Sequence, residues 1–158
     1  MEKQNKKSEP SFYVNFKKVY ARNIDSNISL LNFLRHNCKF TGTKEGCSEG
    51  DCGACSVLIF DEKGSLAPVN SCILKVGQII DKNIVTIEGA SKLSSAKPLI
   101  QALNSKAASQ CGFCTPGFVM AALALKEKHK KPSESVIHDS LSGNLCRCTG
   151  YRPIVNGI

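Results

Sequence analysis

Nine cysteines stand out in this 158-residue chain, and eight of them fall into two groups of four. The first group reads Cys47-Ser48-Glu49-Gly50-Asp51-Cys52-Gly53-Ala54-Cys55 and is completed by Cys72. The second joins Cys111-Gly112-Phe113-Cys114 to Cys146-Arg147-Cys148. Four thiolates in one place make a soft anionic donor set, suited to a zinc ion or an iron–sulfur cluster. A disulfide framework is the poorer reading: the cysteine count is odd, the spacings are short and clustered, and no apolar secretory segment occupies Met1 to Pro10. These features point to bound metal in a reducing compartment, expected to be the cytoplasm.

The first group has the spacing C-x4-C-x2-C with a later fourth cysteine, the plant-type arrangement for a 2Fe-2S cluster. Gly46, Gly50 and Gly53 are expected to adopt positive φ and let backbone amides approach the sulfurs. Such amides offset cluster charge and help set the reduction potential. Cys72 can return to the same iron pair if a hairpin separates it from Cys55. A four-thiolate structural zinc is the competing reading, although zinc knuckles usually present paired CxxC turns rather than one glycine-rich loop. In the second group a CxxC alone could be a redox dithiol or half a zinc site. Paired with the C-x-C it says more, because each pair precedes a helix start marked by Pro116 or Pro153. The positive helix ends and free N–H groups would then face an anionic centre; zinc stays open here too. Cys38 is left over and reads as a buried, unreactive thiol. His36, His129 and His138 show no metal-type spacing and read as surface or capping residues. No nucleophile motif or phosphate-binding loop is present, so no catalytic residue and no substrate chemistry are expected on this chain alone.

The elements that must hold these cysteines show in the hydrophobic pattern. Phe12, Val14 and Phe16 alternate with polar neighbours and lead through Lys17 and Lys18 to Val19–Ala21, a hairpin whose turn places Phe16 where glycine would be easier. Ser29 can cap a short helix with Leu30, Leu31 and Leu34 on one face, expected to lie across the sheet. Ser56 to Phe60 reads as a strand, Asp61-Glu62-Lys63-Gly64 as a turn, Val69 to Leu74 as the returning strand and Asn83 to Ile87 as the last. After Ala90 the pattern is helical. Pro98 suits a first helical turn, Thr115-Pro116 opens a helix with Phe118, Ala121, Ala122 and Leu125 on one face, Ser133 caps a third that stops at Gly143, and Pro153 opens a fourth. The expected organisation is α+β: a flexible tail over residues 1–10, strands with a crossing helix over 11–90 and a helical unit over 91–158.

The formal charge of +8 could suggest nucleic acid. The lysines concentrate in the tail and at Lys126, Lys128, Lys130 and Lys131 without interleaved aromatics, which favours solvated surface. Two oxidised clusters carrying a charge of about −2 each would leave roughly +4. The longest strongly apolar run, Phe118 to Leu125, is far below the roughly 20 residues of a membrane span. Trp is absent and aromatics make up 6% of the chain, so each half has a small core that gains from metal crosslinks.

Thr43-Lys44-Glu45-Gly46-Cys47 through Cys55, Val69-Asn70-Ser71-Cys72, Gln110-Cys111-Gly112-Phe113-Cys114-Thr115-Pro116-Gly117 and Gly143-Asn144-Leu145-Cys146-Arg147-Cys148-Thr149-Gly150-Tyr151 resemble the two cluster motifs of the molybdenum hydroxylases. The resemblance runs from about Ser11 to the C-terminus, and the first motif is most similar to bacterial xanthine dehydrogenase small subunits. It implies a β-grasp 2Fe-2S ferredoxin-like domain followed by an all-α four-helix-bundle 2Fe-2S-binding domain. The ligands would be Cys47, Cys52, Cys55 and Cys72, then Cys111, Cys114, Cys146 and Cys148. It further implies an electron wire from a molybdopterin on a large subunit, through the helical-domain cluster and then the ferredoxin-like one, to FAD and NAD. Gln110 and Cys148 match the residues that approach the pterin. Xanthine dehydrogenase small subunits usually continue into a flavin domain, whereas this chain stops at Ile158. It is therefore expected to be a short subunit or a piece of a longer one, with FAD on a partner subunit or domain. The iron–sulfur subunit of an aldehyde, carbon monoxide or heteroaromatic-ring hydroxylase is the alternative within the family. A zinc-stabilised interaction domain and a freely diffusing ferredoxin are the alternatives outside it.

Overall fold

Strands β1 (Ser11–Val14) and β2 (Lys17–Tyr20) are joined by Asn15 and Phe16 alone, both left-handed with φ of 51° and 69°. A two-residue hairpin demands that geometry, because its twist matches the right-handed twist of the strands. Asn tolerates it; Phe16 is held there against its preference, with its ring edge-on to Phe60 at 6.4 Å and beneath the Lys92 ammonium at 5.6 Å. The computed structural model describes residues 9–60 and 64–158. Residues 1–8 of the expected tail and Asp61, Glu62 and Lys63 of the expected turn lie outside the described residues.

With β3 (Ser56–Phe60), β4 (Leu66–Asn70) and β5 (Asn83–Val85) the hairpin forms one mixed sheet in the order β2-β1-β5-β3-β4, in which β1 and β5 run parallel. Alternation along β3 and β5 separates two cores. Val57 and Ile84 join Phe12 and Val14 against Leu30, Phe33 and Leu34, while Leu58 and Val85 face the helices on the other side. The expected crossing helix is α1 (Leu30–Asn32), whose Ser29 hydroxyl accepts the Asn32 N–H at 3.2 Å, and it continues as a wider turn over Phe33–Asn37.

The returning strand is shifted from its expected place. It runs Leu66–Asn70, not Val69 to Leu74, and includes Pro68, which lacks an N–H and is accommodated because β4 is an edge strand. Cys72 consequently lies in the turn beyond the strand. The last strand also stops early, at Val85, and Ile87 begins α2 (Ile87–Ala90).

Helices α3 (Ala96–Ser105), α4 (Thr115–Lys128) and α5 (Glu134–Leu141) follow, with the Ser133 hydroxyl accepting the Val136 N–H as expected. The single apolar face read for α4 understates its burial. Gly117 through Leu125 are all buried, because the sheet covers one side of the helix and α3 and α5 cover the others. The fourth helix, α6 (Arg152–Val155), is one turn, so the expected four-helix bundle is not completed within these residues and the fold is mixed α/β. Among the described residues no helix is long and apolar enough to cross a membrane.

Asn15 also locks the hairpin to the rest of the molecule. Its buried side chain accepts the Thr86 N–H at 2.8 Å and donates to the Thr86 hydroxyl at 3.0 Å. Asn15→Ala strands that N–H and removes a residue suited to positive φ. It is expected to lower the unfolding free energy by about 2–4 kcal/mol, measured by anaerobic denaturant titration followed by circular dichroism.

Candidate metal centres

The lead-in to the first cysteine loop is pinned before the loop begins. The Arg35 guanidinium donates to the carbonyls of Thr41 at 3.0 Å and Thr43 at 2.7 Å, Glu88 accepts the Gly42 N–H at 2.8 Å, and the Lys44 N–H reaches the Ala54 carbonyl at 3.2 Å. Within the loop, the N–H groups of Asp51 and Cys52 both donate to the Cys47 sulfur at 3.3 Å. The Glu49 N–H first, and then those of Cys52 and Asp51, hold the Cys47 thiol down to about 7. Gly50 and Gly53 are left-handed as expected, but Gly46 is not, and Ser48 takes a left-handed conformation with φ of 61°. Gly46 serves by its size: a Cβ there would stand 2.8 Å from the Cys52 sulfur. Cys72 returns to the loop with its sulfur 3.3 Å from that of Cys55, and the Ser71 hydroxyl donates to the Cys55 carbonyl at 2.7 Å. Burial, and then the neighbouring Cys55, push the Cys72 thiol up to about 11.

The second quartet forms where the turn before α4 meets the segment after α5. The sulfurs of Cys111 and Cys148 lie 3.6 Å apart, and Cys114 is hydrogen-bonded to Cys146. Burial first, and then Cys146, push the Cys114 thiol up to about 12. Burial acts to raise Cys146 as well, but the Thr149 hydroxyl at 3.1 Å and N–H at 3.5 Å, with the Cys148 N–H, bring it below its ordinary value. The Cys146 N–H is taken by the Tyr151 hydroxyl at 3.0 Å. Cys114 caps the N-terminus of α4, as the dipole argument expects. The Cys146 and Cys148 pair also precedes its helix, but Tyr151 takes the position before α6, and a helix of one turn has little dipole to direct at them. Cys111, Cys148 and Gln110 are exposed, whereas Cys55 and Cys146 are buried. Cys38 ends the wider turn after α1, half-buried against the core on that side of the sheet, and burial raises its thiol. His129 ends α4 and His138 pairs with Glu134 at 3.6 Å, both away from metal chemistry.

The two loops touch. The Leu145 N–H donates to the Cys52 carbonyl at 3.0 Å, and the Asn144 amide donates to the Gly53 carbonyl at 3.0 Å. Motif spacing gave no role to Asn144, Gly117, Thr149 or Tyr151; their signal was adjacency to the cysteines and membership of the stretches that carry the family resemblance.

None of the nine cysteines is in a disulfide, and the eight are arranged as Cys47 with Cys52, Cys55 with Cys72, Cys111 with Cys148, and Cys114 with Cys146. Two thiolates on one tetrahedral metal stand about 3.7 Å apart when each bond is about 2.3 Å, close to the 3.3 Å and 3.6 Å found here. Among the described residues no three His, Cys, Asp or Glu side chains converge on one point suited to a single metal ion. Two thiols for each of two irons fit this donor set, and the N–H groups aimed at sulfur suit an anionic cluster. In the metal-free protein at pH 7.5, iodoacetamide is expected to alkylate Cys47, largely thiolate there, ahead of Cys72 and Cys114, as read by peptide mass spectrometry. Thr149→Val keeps the shape but removes the hydroxyl donor to Cys146. It is expected to lower the potential of the second centre by on the order of tens of millivolts in a redox titration followed by electron paramagnetic resonance.

Residues 86–158 match the 2Fe-2S binding domain family. The chain is 44% identical over 151 residues to aldehyde oxidase 1 of Rattus norvegicus and 43% identical over 150 residues to xanthine dehydrogenase of Emericella nidulans. Each alignment covers 92% of this chain and 11% of the relative, so the chain spans about a ninth of those proteins. The crystal structure of quinoline 2-oxidoreductase from Pseudomonas putida 86 superposes with a TM-score of 0.79 at 35% identity, covering 94% of this chain and 88% of that one. Aldehyde oxidoreductase from Desulfovibrio gigas gives 0.83 at 34% identity over 94% of this chain and 16% of that one. With paired thiols in two amide-lined loops and these relatives, the chain belongs to the 2Fe-2S iron–sulfur components of the molybdenum hydroxylase family of oxidoreductases.

Proposed function

We propose that this chain is the electron-transfer component of a xanthine dehydrogenase-type molybdenum hydroxylase, carrying electrons singly from a molybdopterin centre through two 2Fe-2S clusters toward FAD and NAD. The observation that carries this reading is the gathering of eight thiols into two quartets, each built of two close pairs. When bound, each cluster supplies one-electron redox chemistry between the two-electron events of substrate hydroxylation and hydride transfer.

Cys47 and Cys52 would hold one iron and Cys55 and Cys72 its partner; Cys111 with Cys148 and Cys114 with Cys146 would hold the second pair. The chain's own contribution is electrostatic and steric. Amides of the first loop and the Thr149 side chain donate to sulfur, and burial of Cys55 and Cys146 keeps water from part of each site. Exposure of Gln110 and Cys148 on one edge supports that edge as the approach to the pterin of a large subunit. Ile73, 56% exposed beside Gly50, supports docking of a FAD-bearing subunit or domain near the first quartet. We read residues 11–90 as the β-grasp ferredoxin-like unit and 91–158 as belonging to the helical-bundle unit, in a protein of the reducing cytoplasm. Near-equal identity to aldehyde oxidase 1 supports an aldehyde-oxidising complex as the second reading. A zinc-stabilised interaction domain is the less favoured reading, because the first loop winds around one side with left-handed glycines and successive amides aimed at sulfur rather than presenting paired CxxC turns.

Iron and acid-labile sulfide analysis of anaerobically purified protein, with electron paramagnetic resonance during stepwise reduction, tests the reading. About four irons, four sulfides and two distinct signals per chain are expected; zinc without sulfide overturns it. Cys114→Ser is expected to remove the second signal alone, and Cys38→Ser to leave both.

A further inference from the structure

The hydrogen bond from the Leu145 N–H to the Cys52 carbonyl joins a candidate ligand of one quartet to the residue beside Cys146, a candidate ligand of the other. Apart from that 3.0 Å step, the path between the two sulfurs is covalent. Leu145 cannot hold its own backbone in place, since its side chain is 51% exposed. The hold comes from its neighbour. Asn144 is 6% exposed, and its amide crosses to the Gly53 carbonyl, one peptide beyond the carbonyl that Leu145 reaches.

Both ends of this clamp are anchored. The Asn144 N–H bonds the Leu141 carbonyl at 2.9 Å, tying the residue to the end of α5, and the Gly53 carbonyl also accepts the Ser56 N–H at 3.1 Å and hydroxyl at 2.8 Å. Space is cleared for it as well: a side chain at Gly53 would strike the Gly143 carbonyl and Asn144, and one at Gly117 would strike the Gly53 carbonyl. A buried amide is costly unless bonded, so its placement against a loop distant in sequence ties the two loops to one separation.

We propose that Asn144 is the positioning residue for electron exchange between the two centres: by clamping Gly53 it keeps the Cys52 carbonyl against the Leu145 N–H, and that hydrogen bond is the route of exchange. The inference rests on the cluster reading given under Proposed function. One electron leaves the reduced centre and enters the oxidised one; no bond forms or breaks and no proton moves.

Asn144→Leu removes the amide donor at nearly constant volume, and Asn144→Ala removes it with most of the side chain; neither adds a charge. In the cluster-loaded chain, with iron and sulfide counted first, a photoexcited flavin donor injects one electron and the redistribution between the two absorption signals is timed. Both variants are expected to keep both clusters and their midpoint potentials while exchange slows about tenfold, the scale of loss when an outer-shell partner is removed. A purely structural residue would not slow exchange at unchanged potentials. Unchanged exchange in both variants, or loss of a cluster in both, overturns the proposal. Unmutated protein that lacks two clusters overturns the underlying cluster reading instead, so the two failures are distinguishable.

Discussion

The contact of the Gly53 backbone with Asn144 and Gly117 is the constraint around which the rest of the molecule is arranged. Three segments remote in sequence converge there: the first cysteine loop, the first turn of α4 and the turn after α5. A side chain at Gly53 or Gly117 would collide there, and Asn144 is buried. With α4 buried between the sheet and its neighbouring helices, the first turn of that helix cannot drift relative to β3, and the loop preceding β3 is held in turn. Two sites that must sit at a fixed separation are thus tied by a short buried side-chain amide and by close backbone contacts, which are less compliant than contacts between long side chains.

The two quartets solve one electrostatic problem by different local means. Each must gather thiolates that repel one another. The first loop does it with successive amides aimed inward, at the cost of a left-handed Ser48 as well as left-handed glycines. The second relies on the N-terminus of a long helix at Cys114 and on the Thr149 and Tyr151 side chains around Cys146. The opposed shifts of Cys47 and Cys72, and of Cys146 and Cys114, show how unevenly the environment treats thiols that act as a set.

Hydrogen bonds also extend from the far hairpin to the first loop. Asn15 bonds Thr86, the Thr86 hydroxyl bonds Glu88 at 2.5 Å, and Glu88 takes the Gly42 N–H ahead of Cys47. The hairpin, which touches no cysteine, thereby contributes to the orientation of the loop that does. A polar relay of this kind, buried at Asn15 and Thr86 and reaching the surface at Glu88, orients a site better than apolar packing because each partner has a direction as well as a distance.

Much of this was legible in the chain itself. Thiol type and spacing determined the two quartets, alternation at Phe12 and Val14 marked the first hairpin, a β-prone run marked β3, and the capping serines at Ser29 and Ser133 marked where α1 and α5 begin. The extent of β4 was not legible, because the penalty of Pro68 depends on whether its strand is an edge. The full burial of α4 escaped as well, since alanine-rich faces look neutral until neighbours close over them. Gly46 looked like a conformational glycine and proved to be a spatial one, which requires knowing where the Cys52 sulfur lies. The sequence by itself determined which thiols exist and how they group. Only the tertiary structure decided how they pair, and that Asn144 spans the two loops, because pairing and contact depend on distances between segments that no local pattern encodes.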